Sequence, residues 1–498
     1  MEKYILAIDQ GTTSSRAIIF NQESETIVSD QMEVGLTYRE SGWVEQNASE
    51  IWETVYETVK ECLISKKVDI KNIKAIGIAN QRETTILWDK ITGQPVYDAI
   101  VWQSRQSSEI CDKLIDSGYE EMIKSKTGLI INPYFSATKI KWIFEKYPEI
   151  YKRALNGEIL FGTVDSFLVW KLTEGKVHVT DYTNASRTML FNIYTLKWDT
   201  EILNLLGIPR SILPKVVGNS EIYGYATALK SINKDLNIPI ASLVGDQQAS
   251  LFGQCCFDLG DVKNTYGTGC FMLINTKEKA VNSRNGLLTT IASGINDQIE
   301  YALEGSVFVG GSAVQWLRDG MRMIEKSKDV EIYSNRTEET NGVYIVPAFV
   351  GLGTPYWDDD ARGAVFGLTR ATKKEHFINA TVQSIAYQSK DVMEVMMMDA
   401  RIPIRSLAVD GGAASNDYLI QFQADLLNCK ILRPECLETT ALGAAYLAGL
   451  AVKVWESKDE LRKLQKINKV FLSRMKKEER DKLYSGWKKA VEATRLFK

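Results

Sequence analysis

Near its start the chain carries a carboxylate, a glycine turn and a run of hydroxyls in close order: Asp9-Gln-Gly-Thr-Thr-Ser-Ser-Arg16. Apolar segments flank it, so the carboxylate ends one strand and the turn opens the next. Backbone N–H groups in such a turn converge on an anion, and Thr12, Thr13 and Ser14 add side-chain donors. A carboxylate at the strand end suits Mg²⁺, held directly or through water against the same phosphates. The alternative is an ordinary tight hairpin, since Gly, Thr and Ser are common turn residues.

Other segments also join apolar strands to polar or glycine turns. Val244-Gly-Asp-Gln-Gln-Ala249 and Val409-Asp-Gly-Gly-Ala-Ala-Ser-Asn416 both read on into helices, whose N-termini suit a phosphate or nucleotide. Asn80-Gln-Arg-Glu83 follows the buried strand Lys74–Ala79, and ligands favour such strand ends. Arg82 offers only donors, Glu83 only acceptors and Gln247 both. The bland reading of Arg82-Glu83 is a surface ion pair of little consequence. With only His178 and His376 in the chain, Ser-His-Asp catalysis and histidine-based zinc sites are nearly excluded. The candidate general base is a carboxylate, Asp246, for which the competing role is a helix N-cap.

Elements must hold these groups. Strands over 4–8, 16–20 and 26–34 form an antiparallel meander, and a helix begins near Ala48 with Ile51, Val55, Val59 and Leu63 on one face. A strand, glycine turn and strand recur over Asp261–Asn275 through Tyr266-Gly-Thr-Gly269. The 498 residues exceed one ordinary core, and the recurrence divides them into two similar α/β lobes with a cleft between, residues 1–251 and 252–498. A net charge of −3 gives no broad attraction to nucleic acid or anionic membranes. The longest apolar run, Ala441–Val452, is too short for an integral membrane segment. Seven cysteines without a CxxC pair and the lack of a signal-peptide pattern read as a reduced, cytoplasmic protein. The P-loop, Rossmann and protein-kinase signatures are missing.

Several segments together resemble the glycerol kinases of the carbohydrate-kinase family. They include Asp9–Arg16, Asn80–Thr85, Ala99–Gln103, Thr180–Asn192, Gly245–Ala249, Asn264–Met272, Gly351–Trp357 and Thr440–Leu450, in order along almost the whole chain. The resemblance implies actin/hexokinase-like (ribonuclease H-like) domains, ATP, Mg²⁺ and phosphorylation of glycerol. It places Arg82, Glu83, Tyr134, Asp246 and Gln247 on glycerol, with Trp102 and Phe271 as apolar walls. Thr12, Thr13, Ser14 and Arg16 match phosphate-loop contacts; Thr268, Gly311, Gln315, Gly412 and Asn416 match the far side of the nucleotide. Asp9, with Asp246, is the expected metal side of the site.

The resemblance also implies a homodimer or homotetramer. In some relatives a sugar-transport phosphocarrier phosphorylates a histidine, but the corresponding loop Tyr225–Ile238 contains none, so that activation is not expected. Gln46-Asn47 stands where His-Asp is usual, outside the catalytic matches. Arg187, Asp165 and His178 have no assigned role. A sibling kinase acting on a pentulose, aldonate or other polyol, and a nucleotide-dependent binding protein without transfer, are the competing functions.

Overall fold

Tyr4–Gln10 (β1) is apolar on both faces, and it runs between two hydrophobic cores. In the computed structural model, which describes residues 2–337 and 339–497, it joins Ser14–Phe20 (β2) and Thr26–Glu33 (β3) in an antiparallel meander. Ala48–Ile64 (α1) follows, its start capped by Asn47, and Ile73–Asn80 (β4) pairs parallel with β1. Ser220–Tyr225 (β5) and Pro239–Gly245 (β6) complete a six-stranded sheet ordered β5-β6-β4-β1-β2-β3. Between β4 and β5 the chain forms short helices and small two-stranded sheets that pack around a further hydrophobic core. The helix Asp246–Gly253 (α2) runs through residue 251 and leads to the next sheet.

The arrangement then recurs. Val262–Tyr266 (β7) and Cys270–Lys277 (β8) make the second glycine hairpin, beside Leu288–Ile295 (β9) and Gln298–Val307 (β10). The helices Gly311–Asp319 (α3) and Lys374–Ala400 (α4) precede Ser406–Asp410 (β11), which pairs parallel with β7 as β4 does with β1. Asp417–Leu427 (α5), Lys430–Pro434 (β12), Thr439–Ala451 (α6), Ile467–Phe471 (β13) and Lys477–Leu496 (α7) follow. The seven-stranded sheet is ordered β9-β10-β8-β7-β11-β12-β13. Each unit is thus a mixed sheet with antiparallel hairpins on one side of a central strand and, on the other, parallel strands ending in an antiparallel edge strand, β5 or β13.

Side chains alternate across β1. Leu6 and Ile8 pack with Ile51 and Val55 of α1, whereas Ile5 and Ala7 pack with Ala441, Ala445 and Ala448 of α6. A helix from the last sixth of the chain therefore covers the first sheet. It also crosses α2 with the backbones touching: a Cβ at Gly443 would lie 1.9 Å from the Ala249 carbonyl oxygen, and one at Gly253 2.0 Å from that of Thr439. This crossing joins the two units immediately behind Asp246. No helix among the described residues is long and apolar enough to cross a membrane.

Candidate active site

Asp9 near the end of β1, Arg82 and Glu83 just beyond β4, and Asp246 just beyond β6 meet at the carboxyl edge of the first sheet. Parallel pairing of β1, β4 and β6 produces this convergence, placing sequence-distant strand ends side by side. The opening turn is tight, with Gly11 N–H donating to the Ser14 carbonyl at 2.9 Å.

Asp246 occupies the first position of α2, with Gly245 at the cap, so the N-cap role falls to its neighbour. Its Oδ1 accepts from the Gln247 backbone N–H at 2.8 Å and lies 3.1 Å from Arg82 Nε; its Oδ2 accepts from Gln247 Nε2 at 3.0 Å. The carboxylate is fixed from three directions and remains about a quarter exposed, its side chain at 26%. Burial, then the nearby Asp246 charge, pushes the Asp9 carboxyl up to about 7.

Arg82-Glu83 is not the surface pair of the bland reading: the two side chains are 2% and 1% exposed and stand 4.0 Å apart. Each has a better partner elsewhere. Arg82 Nη1 and Nη2 donate to Glu304 at 2.5 and 3.0 Å, a forked pair across to β10. Arg187 Nε donates to Glu83 at 2.6 Å and its Nη2 to Glu304 at 2.9 Å. Two guanidiniums and two carboxylates form a closed, buried quartet. Burial would raise the Glu304 carboxyl, but Arg187 and Arg82 outweigh it and hold it down at about 2. Glu83 sits in the left-handed region at φ 59°, a conformation held only where surroundings over-determine it.

The aromatic walls meet. Trp102 packs edge-on against Tyr134 at 5.6 Å and against Phe271 at 5.9 Å between ring centres, and Arg187 lies 5.6 Å from the Tyr134 ring centre. Trp102 Nε1 donates to Thr12 Oγ1 at 2.8 Å, so one residue both lines the cavity and braces the Gly11–Ser14 turn. The loop bearing Tyr134 is pinned by buried Lys139, whose Nζ reaches the Tyr134 carbonyl at 2.5 Å. Outside this wall opens a cavity of about 370 Å³ lined by Trp43, Arg105, Phe308 and Asp359 among others. Two of these lining residues, Arg105 and Asp359, form an ion pair at 2.7 Å.

The second set of turns lies opposite. The Thr268 carbonyl accepts from Gly310 N–H at 2.8 Å and from Ser312 Oγ at 2.9 Å, tying the β7–β8 turn to the start of α3, which bears Gly311 and Gln315. Asp410-Gly-Gly412 is no hairpin turn; it passes through a short 3₁₀ turn into α5. Gly412 faces open space, whereas the Asn416 Oδ1 caps α5 by accepting from Leu419 N–H at 2.9 Å. Asp410 Oδ2 collects Ser250 Oγ at 2.6 Å, Gln254 Nε2 at 2.9 Å and Thr439 Oγ1 at 2.5 Å, tying β11 to α2 and α6. Arg16 forms a contact with Glu438 at the start of α6, besides donating through Nε to Gln31 at 3.0 Å.

Sequence reasoning passed over four contributors. Arg187 and Glu304 complete the quartet. Gln46, at the unusual Gln-Asn position, donates to the Thr12 carbonyl at 2.6 Å and accepts from Gln81 at 2.9 Å, so it supports the Gly11–Ser14 turn. Lys263 is the fourth. The one sequence signal for Lys263 is a lysine inside an expected strand, which reads equally as a solvated face.

The described residues contain no group of three or more His, Cys, Asp or Glu side chains able to hold a metal. Asp9 and Asp246, near enough for the Asp246 charge to raise the Asp9 pKa, supply two carboxylates, the donor set that suits Mg²⁺, which keeps several waters and uses one or two carboxylates plus substrate phosphates.

The N-terminal domain of the FGGY family of carbohydrate kinases matches residues 4–253, and its C-terminal domain residues 262–452. Glycerol kinase of Bacillus licheniformis is 58% identical over 498 residues, covering 100% of both chains. Glycerol kinase of Staphylococcus epidermidis is 57% identical over 100% of this chain and 99% of its own. The crystal structure of Plasmodium falciparum glycerol kinase with ADP is 38% identical at a TM-score of 0.91, covering 99% of this chain and 98% of that one. A xylulose kinase from Lactobacillus acidophilus shares the fold, with a TM-score of 0.87 at 22% identity, over 99% of this chain and 98% of its own. With both domains matched in order and full-length relatives well above half identical, this chain belongs to the FGGY family of carbohydrate kinases.

Proposed function

We propose that the protein transfers the γ-phosphoryl group of ATP to a terminal hydroxyl of glycerol, giving sn-glycerol 3-phosphate in glycerol uptake and catabolism. The observation that carries the reading is the Asp246 carboxylate, fixed by Gln247 and Arg82 at the start of α2 yet with its side chain 26% exposed. Full-length relatives named glycerol kinase support the same substrate.

In this reading Arg82, Glu83 and Gln247 engage the glycerol hydroxyls while Trp102, Tyr134 and Phe271 cover its carbon chain. A site built on such bonds rejects analogues that leave its buried polar groups unpaired. Asp246 takes the proton of the attacking hydroxyl as the phosphoryl group moves in line, a contribution of about 10²–10⁴ in rate. Thr12, Thr13, Ser14 and Arg16 hold the phosphates; Thr268, Gly311, Gln315, Gly412 and Asn416 hold the rest of the nucleotide. Mg²⁺, held by Asp9 and Asp246, would neutralise charge on the phosphates. Binding both substrates between units joined near residue 251 also excludes water from the transferring group.

We further place the enzyme in the cytoplasm as a homodimer or homotetramer, without phosphocarrier activation; light scattering tests the assembly. The substrate is tested by ADP production with glycerol, dihydroxyacetone, erythritol, xylulose and gluconate. Glycerol is expected to give the highest kcat/KM; a higher value for xylulose would overturn the assignment.

A further inference from the structure

Lys263 on β7 has no access to solvent, and among the described residues no carboxylate lies within ion-pair distance of its Nζ. Neutral oxygens hold it instead: Gln247 Oε1 at 2.5 Å and Thr265 Oγ1 at 2.8 Å. Burying a lone ammonium is costly. Burial lowers its pKa to about 8, while Asp410, Asp246 and Glu304 attract its charge from farther away. Its position makes the cost intelligible. A side-chain amide has two ends that differ in chemistry but hardly in shape, and only the hydrogen-bond partners decide which end points where. At Gln247 one end meets the Lys263 ammonium and the other the Asp246 carboxylate. Reversing the amide would set NH₂ against ammonium and carbonyl against carboxylate, two repulsions at once.

We infer that Lys263 is a positioning residue for the transfer reaction: its ammonium locks the Gln247 amide so that the NH₂ group always supports Asp246 Oδ2. The polar path continues from Lys263 through Thr265 to Ser250 at 3.1 Å and on to Asp410 at 2.6 Å, so the same cation ties the acceptor side of the cleft to the β11 turn. The inference rests on the reading of Asp246 as the general base.

The test is a double-mutant cycle on the full-length enzyme, with kcat and both KM values measured for K263M, Q247A, the double variant and D246N. Lys263→Met is expected to lower kcat by about 10²-fold, the scale for a misaligned catalytic group, with KM for ATP nearly unchanged. In the Q247A background the same change is expected to cost no more than about threefold further, because the amide it orients is gone. Losses that multiply in the double variant, or a wild-type kcat for K263M, would overturn the inference. Lys263→Gln retains an N–H donor, and its kcat is expected to fall between wild type and K263M; a value at or below that of K263M counts against the lock. Where the methionine variant does not fold, the same cycle is built on K263Q. D246N separates the two claims: full turnover there would remove the base reading itself, whereas an inactive D246N with additive Lys263 and Gln247 losses removes only the lock.

Discussion

Glu304→Gln tests the buried quartet. In the native protein Glu304 accepts from Arg82 Nη1 at 2.5 Å, Arg82 Nη2 at 3.0 Å and Arg187 Nη2 at 2.9 Å, with every participant at most 2% exposed in its side chain. The amide keeps the shape but removes the charge and turns an NH₂ toward a guanidinium. Removing one member of a buried ion network strands its partners at a cost of about 3–5 kcal/mol. For a chain of this size that is a fall in Tm of about 3–10 °C, depending on whether the two units unfold together. Arg82 also loses its forked anchor, so KM for glycerol is expected to rise about tenfold or more. Adding Arg187→Met should cost less than the sum of the single losses, since it removes the guanidinium left unpaired. The pH dependence has a definite sign. The Glu304 pKa is depressed from 4.5 to about 2, so its contribution is complete above about pH 4.5 and fades as pH falls toward 2. Calorimetry and steady-state kinetics on purified E304Q provide the assay. A Tm within about 1 °C of wild type together with an unchanged glycerol KM would refute the reasoning.

Trp102→Phe keeps the wall but deletes the 2.8 Å donor to Thr12; a loss of about 1 kcal/mol, or about fivefold in kcat/KM, is expected in steady-state kinetics. Gly443→Ala sets a methyl 1.9 Å from the Ala249 carbonyl oxygen, so α6 and α2 must separate; thermal unfolding should show about 1–3 kcal/mol of destabilisation. Burial lowers the His178 pKa from 6.5 to about 4, so the unfolded chain takes up a proton first and stability falls as pH drops through that window. His178→Gln should flatten the fall of Tm between those two pH values, and a slope equal to wild type would refute it.

Local patterns made much of the fold legible. The meander, α1 and β4 appear close to their expected limits, because apolar runs, a capping Asn47 and glycine turns are local instructions. The placement of Asp9, Arg82 and Asp246 at or just beyond strand ends was legible for the same reason. Pairings over long separations were not legible. Arg82 and Glu304 are 222 positions apart, and Glu83 and Arg187 104, so only the folded topology makes them neighbours. The Ala441–Val452 run read only as too short for a membrane span, and nothing in it named the first sheet as the surface it covers. Lys263 was hidden because a charged residue in a strand is normally on a solvated face, and here that face is closed by α2.

The central claim is that Asp246 removes the proton of the acceptor hydroxyl. Its most direct test is turnover of Asp246→Asn with ATP, Mg²⁺ and saturating glycerol, with nucleotide binding measured in parallel. The asparagine keeps the shape but lacks the basic oxygen, so the variant should still bind nucleotide while kcat falls by about 10²-fold or more. A kcat equal to wild type, or equal and negligible rates in both proteins, would contradict it.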